Sequence, residues 1–77
     1  MNMNRKNVSE QIGTNIKRLR KQNKKTQEQV AEAIGISRTV YTRYESGEIE
    51  IPASMIAGIC QTIDCRASDI FDYVIVK

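Results

Sequence analysis

Apolar residues along this chain fall at helical intervals. Val8, Ile12, Ile16 and Leu19 step by four, four and three positions, one stripe on a helix predicted from about residue 8 to 22. Ser9 or Asn7 can cap its start, and Asn23 can close it in a left-handed conformation. Thr26, with Gln29 three residues on, makes a capping-box pattern ahead of "QEQVAEAI". That predicts a short second helix burying Val30, Ala31 and Ile34, stopped by Gly35. Ile36 is an apolar connector, Ser37 caps a third helix running to about Ser46, and Gly47 ends it. Pro52 marks the entry to a fourth, since a proline in the first turn costs no helical hydrogen bond. There Ile56, Ile59, Cys60 and Ile63 form the inward face. "RASDIF" at 66–71 predicts a last turn or short helix that returns Ile70 and Phe71 to the core.

The tail 72–77, "DYVIVK", changes character, because Tyr73, Val74, Ile75 and Val76 are β-formers. Two readings stand side by side. One is a short C-terminal β-strand paired with the N-terminal "MNMNRKN" segment or with the tail of a second subunit; the other is a frayed terminus. The class is all-α in either case, with four or five helices and no linker, repeat or low-complexity tract. A chain of 77 residues makes one domain, 1–77, with a single modest core.

Charge adds what hydropathy does not show. Residues 1–43 carry ten Lys/Arg against three acids, a balance of +7, and residues 44–77 carry two against six, a balance of −4. A basic half points to a polyanion. Its densest part, "KRLRKQNKK" at 17–25, has six cations and no acid; alone it reads equally as a solvated helix face or a phosphate-binding surface. The absence of histidine removes the commonest general base and metal ligand. Cys60 and Cys65 lack the companions of a zinc site and read as two small half-buried residues, so neither a metal nor a cofactor is expected. With no apolar run of membrane length and no signal-like N-terminus, a cytoplasmic, nucleoid-associated location is expected, with no membrane partner and no small-molecule ligand evident.

The third helix sorts its side chains by kind. At about 100° per residue, Arg38, Thr42, Ser46, Thr39 and Arg43 share one arc, while Tyr41 and Tyr44 point the other way. A merely solvated helix mixes acids with its bases, and a catalytic cluster needs a base that this chain lacks. One α-helix fits the DNA major groove, where arginine reads guanine and small hydroxyl or methyl groups read other base edges.

The chain also resembles a known family. "IG..I..LR" at 12–20, "TQE.VA..IG" at 26–35, "ISR..Y.RYE.G" at 36–47 and "I..IC..I" at 56–63 are similar to the Cro/lambda-repressor-type, or xenobiotic-response-element, helix-turn-helix family. The resemblance covers residues 12–71 and implies a five-helix lambda-repressor-like DNA-binding domain with motif helices at about 27–34 and 38–46. It implies base reading by Ser37, Arg38, Thr39 and Arg43. It gives Gln27 a phosphate-binding and buttressing role, with Thr42 and Ser46 close enough for backbone or edge contacts. It also implies a largely buried ion pair between Arg20 and Glu45, for which the other reading of Arg20 is a phosphate contact.

Three positions depart from the family pattern. Lys24 and Lys25 stand where glycine and an apolar residue are usual, which adds two candidate phosphate contacts and puts the local turn in question. Tyr41 replaces a smaller aliphatic residue, so its hydroxyl needs a partner or solvent. Ile51 stands where proline is common. The expected function is a sequence-specific transcriptional regulator, a repressor acting as a homodimer on a pseudo-palindrome of double-stranded DNA. Its dimer contacts are expected from the fourth and fifth helices and the tail, so truncation after Phe71 is expected to weaken dimerisation. The alternative is an antitoxin or antirepressor for which DNA binding is secondary.

Overall fold

Asn4 starts the first helix, α1 (Arg5–Gln22), by accepting a 3.0 Å hydrogen bond from the Asn7 amide through Oδ1. The helix therefore begins nearly a turn before the apolar stripe, and neither Asn7 nor Ser9 caps it. Its first turn (Arg5, Lys6, Asn7) is polar on every side, so hydrophobic periodicity carries no signal there. The computed structural model describes residues 4–75. α2 (Gln27–Ile34) starts with the capping box of Thr26 and Gln29, in which each side chain bonds the other's backbone amide at 3.0 and 2.8 Å. α3 (Arg38–Ser46) begins at Ser37, whose Oγ accepts from Val40 N. α4 (Ala53–Ile63) follows Pro52, which sits in the cap position just outside the first turn. α5 (Ala67–Ile70) is a single turn.

Four of these helices close in the same way. A backbone amide reaches the carbonyl five residues back: Lys25 to Arg20, Ile36 to Ala31, Glu48 to Arg43 and Cys65 to Cys60, at 3.0–3.1 Å. Each bond requires a left-handed residue just before it. Gly35 and Gly47 fill that position at φ +77° and +81°; Lys24 and Asp64 fill it at +56° and +53°. So Asn23, at φ −93°, is not the left-handed residue at the end of α1. Lys24 takes the strain that glycine avoids, and the turn keeps its geometry with lysine in it. The last motif also explains the cysteines, which are free, half-buried and five apart where this cap places an apolar contact.

The core is Ile16, Val30, Ala31, Tyr41, Tyr44, Ile59, Ile63 and Ile70, with Ile12, Leu19, Ile34 and Ile56 packed around it. α1 packs on α3 and α5, and α2 packs on α3 and α4. The α1–α3 approach is set by Gly13, where a Cβ would run into the Glu45 carbonyl and lie 2.6 Å from that of Tyr44. Any side chain there pushes the two helices apart.

One expectation about the C-terminus fails, and of the two readings of the tail the strand is not seen among the described residues. Ile70 is fully buried, but Phe71 is 47% exposed, because α5 ends at Ile70 and Phe71 falls on its outer side. Residues 72–75 form no strand; residues 1–3 and 76–77 lie outside the described part. Instead α1 side chains hold the tail. Gln11 accepts from Ile75 N and donates to Ile75 O, both at 2.8 Å, and Asn15 donates to the carbonyls of Ile70 and Asp72. A side-chain amide thus takes the place that a neighbouring strand would have filled.

Candidate nucleic-acid interface

The interface is built from a buried anchor outward. Arg20 on α1 forms a fork on Glu45 of α3, Nε to Oε2 at 2.6 Å and Nη2 to Oε1 at 3.1 Å, with both side chains under a tenth exposed. Nη1 of Arg20 donates to the Lys25 carbonyl at 2.7 Å, which ties the turn between α1 and α2 to the same group. Gln27 then joins α2 to α3: its Nε2 donates to Glu45 Oε1 at 3.0 Å, and its Oε1 accepts from Thr42 Oγ1 at 3.2 Å. Burial works to raise the Glu45 carboxyl, but hydrogen bonds, that from Arg20 foremost, outweigh it and hold the group below the ordinary carboxylate range. The Arg20 guanidinium is held above its ordinary value, chiefly by its hydrogen bond to Glu45.

Tyr41 breaks the expectation made for it. It is fully buried beside this pair, and its hydroxyl reaches neither solvent nor a partner of hydrogen-bond geometry. Burial, reinforced by the adjacent Glu45 carboxylate, keeps the phenol protonated far above its usual range. Its ring packs edge-to-face on Tyr44, with centroids 6.4 Å apart. The two tyrosines fasten α3 to the fold through packing.

What α3 shows to solvent is the opposite face. Ser37, Arg38, Thr39, Thr42, Arg43 and Ser46 are all exposed, while Tyr41, Tyr44 and Glu45 are buried. Ser37 sits at the helix N-terminus, whose free amides and dipole favour an anion. The single Thr42 hydroxyl proton is shared between Gln27 Oε1 and, at 2.9 Å, the Arg38 carbonyl of its own helix. The Ser46 hydroxyl donates to the Arg43 carbonyl at 3.1 Å, which turns it toward the helix end. Lys24 is exposed and Lys25 half-buried at the turn leading into α2, on the basic side of the molecule.

Sequence reasoning missed two features of this surface. Arg43 lies 3.7 Å from Glu48, an acid at the edge of an otherwise acid-free face. The helical wheel cannot place Glu48, because the chain reverses at Gly47; the readable signal was a glutamate directly after a helix-ending glycine. The second is that the buttressing Gln27 amide serves Glu45 and Thr42 together, a link made only when α2 packs on α3. No three His, Cys, Asp or Glu side chains gather into a metal site among the described residues, and none of the described helices is long and apolar enough to cross a membrane.

Comparison with known proteins bears on the arrangement of helices that carries this surface. The antitoxin PezA of Streptococcus pneumoniae serotype 4 is 42% identical over 59 residues, which are 77% of this chain and 37% of that protein. The chain thus spans little more than a third of that relative's length. The clp gene regulator ClgR from Corynebacterium glutamicum superposes with a TM-score of 0.78 at 22% identity, covering 82% of each chain. The restriction-modification controller protein C.AhdI from Aeromonas hydrophila superposes at 0.76 and 21% identity, over 80% of this chain and 94% of that one. At these identities the two structures show a shared all-helical fold. The helix-turn-helix family profile matches residues 16–70, which hold α2, the turn at Gly35 and α3. With that match and that arrangement of helices, the chain belongs to the Cro/lambda-repressor-type helix-turn-helix family of DNA-binding regulators.

Proposed function

We propose that this protein is a sequence-specific transcriptional repressor that binds a pseudo-palindromic operator as a homodimer. The observation that carries the reading is the division of α3, with Arg38, Thr39, Thr42, Arg43 and Ser46 exposed on one face and Tyr41, Tyr44 and Glu45 locked into the fold on the other. Arg38, in the first turn, reads guanine through O6 and N7. Thr39 beside it offers a hydroxyl or a methyl to a neighbouring base, and Arg43 reaches a base or a phosphate once it leaves Glu48. Ser37 and the α3 N-terminus take a backbone phosphate, as does the free edge of the Gln27 amide. Thr42 braces that amide, Ser46 at the far end of α3 offers a backbone or edge contact there, and Lys24 and Lys25 add charge along the flank. Two copies with recognition helices roughly 34 Å apart would enter successive major grooves.

Selection of bound sequences from a random duplex pool tests the reading directly. An enriched inverted repeat is expected, and a pool that stays unenriched rejects it. On the selected site, Arg38→Ala should cost about 1–3 kcal/mol and relax preference at one base pair. Lys24→Ala should weaken all sequences alike and lower the salt slope. Equal, sequence-independent losses from both would remove the base-reading role from Arg38.

A second reading is favoured by the relation to an antitoxin. In it the chain's main partner is another protein, and DNA binding is secondary. Co-purification of a tight heteromeric partner from the native host supports it; recovery of the chain alone, with operator binding intact, rejects it.

A further inference from the structure

The first half of α1, the loop after α3 and the end of α5 leave a groove of about 550 Å³ between them. Ile12, Ile49, Ile51, Ile56 and Phe71 make it apolar, and Phe71 and Ile49 remain 47% and 36% exposed. None of the residues lining it lies on the outward face of α3, so filling it leaves Arg38, Thr39 and Arg43 free. Two opposite charges also line it. Arg5 comes from the basic half of the chain and Glu50 from the acidic half, and they meet at 2.6 Å while both stay more than half exposed.

We propose that this groove seats a second copy of the chain across a two-fold axis, with Arg5 of each copy facing Glu50 of the other. The inference rests on the homodimer reading above and names its surface. In a two-fold contact a patch meets itself, so a patch of one sign repels its twin, and a patch holding one cation and one anion attracts it. Exposed pairs of this kind contribute little within a chain, so exchanging partners between copies costs little while the apolar side chains leave water. The loop 48–51 follows Gly47 at the end of α3. A contact there fixes how far apart two copies hold their recognition helices. Of the tail, to which sequence reasoning gave part of the dimer contact, the described residues 72–75 do not line the groove.

Charge reversal with sedimentation of the full chain tests the proposal. Arg5→Glu alone and Glu50→Arg alone should each weaken self-association about tenfold or more, since every two-fold contact then carries like charges twice. Mixing the two variants should restore a dimer, because each copy now meets its opposite across the axis. A pair that acts only within one chain predicts no dimer on mixing, and that result overturns the proposal. So does a wild-type chain that stays monomeric at every concentration while an apolar dye such as anilinonaphthalene sulfonate fills the groove; the occupant would then be a small ligand. Phe71→Glu gives a second route, with loss of dimer but an unchanged helical circular dichroism spectrum. A chain that dimerises through this groove yet enriches no DNA sequence supports the groove while rejecting the operator reading. A chain that binds an inverted repeat and is indifferent to all three variants keeps the operator and rejects the groove.

Discussion

Two arginine–glutamate pairs in this protein close at 2.6 Å through the same Nε atom, in opposite surroundings. Arg20–Glu45 is sealed between α1 and α3, forks through two hydrogen bonds, and has its spare capacity taken by Lys25 O and Gln27. Arg5–Glu50 joins the start of α1 to the loop after α3 by one hydrogen bond in full view of solvent. Equal distance does not mean equal consequence. A buried charge that loses its partner has no water to replace it, whereas an exposed one is rehydrated at once. The inner pair therefore holds α3 against α1, and the outer one is the pair that can change partners at little cost.

The largest expected effect comes from breaking the inner pair. Glu45→Ala should cost about 3–5 kcal/mol, most of the stability a domain of this size has, read by denaturant unfolding. A loss no larger than that of an ordinary surface variant would show that the interior is wetter than the geometry implies. Titration probes the same group without mutation. Because folding lowers the Glu45 value from about 4.5, its stabilisation is fully present above the unfolded value and drains away as pH falls through the folded one. Thermal unfolding followed downward from neutral pH should show this acid loss, and Glu45→Gln should flatten it.

A smaller effect tests how completely the inner pair's surroundings are satisfied. Tyr41→Phe removes a buried hydroxyl without a partner and should stabilise the protein by about 1 kcal/mol. A loss of similar size would mean that the hydroxyl donates to Glu45 in solution. Smallest of all is the outer pair: Glu50→Ala, measured at a dilution where the chain is monomeric, should leave the thermal midpoint within error. A clear drop there would erase the contrast between the two pairs.

Much of this was legible in the sequence where the cause is local. Thr26 with Gln29, Ser37, Gly35 and Gly47 placed α2 and α3 because caps act over three or four residues. The outward face of α3 was readable because one helical period spans it. Phe71 was misplaced by one position, since a four-residue helix has too few apolar positions to define a face. The start of α1 was missed because Asn4, Asn7 and Ser9 are all competent caps and only the backbone selects among them.

By itself, the sequence determined the four longer helices, the buried side of each, and the row of Arg38, Thr39, Thr42 and Arg43 that α3 presents. Those follow from periodicity and capping, which depend on neighbours along the chain. Tertiary structure decided the rest. It joined Arg20, Lys25, Gln27, Thr42 and Glu45 in one network, turned Gln11 and Asn15 into a clasp for the tail, and set Arg5 beside Glu50 at an apolar groove. Residues up to 64 positions apart meet in those contacts. No local rule encodes them, because each depends on how whole helices pack; the α1–α3 contact that carries Arg20 to Glu45, for one, needs the close approach that Gly13 allows.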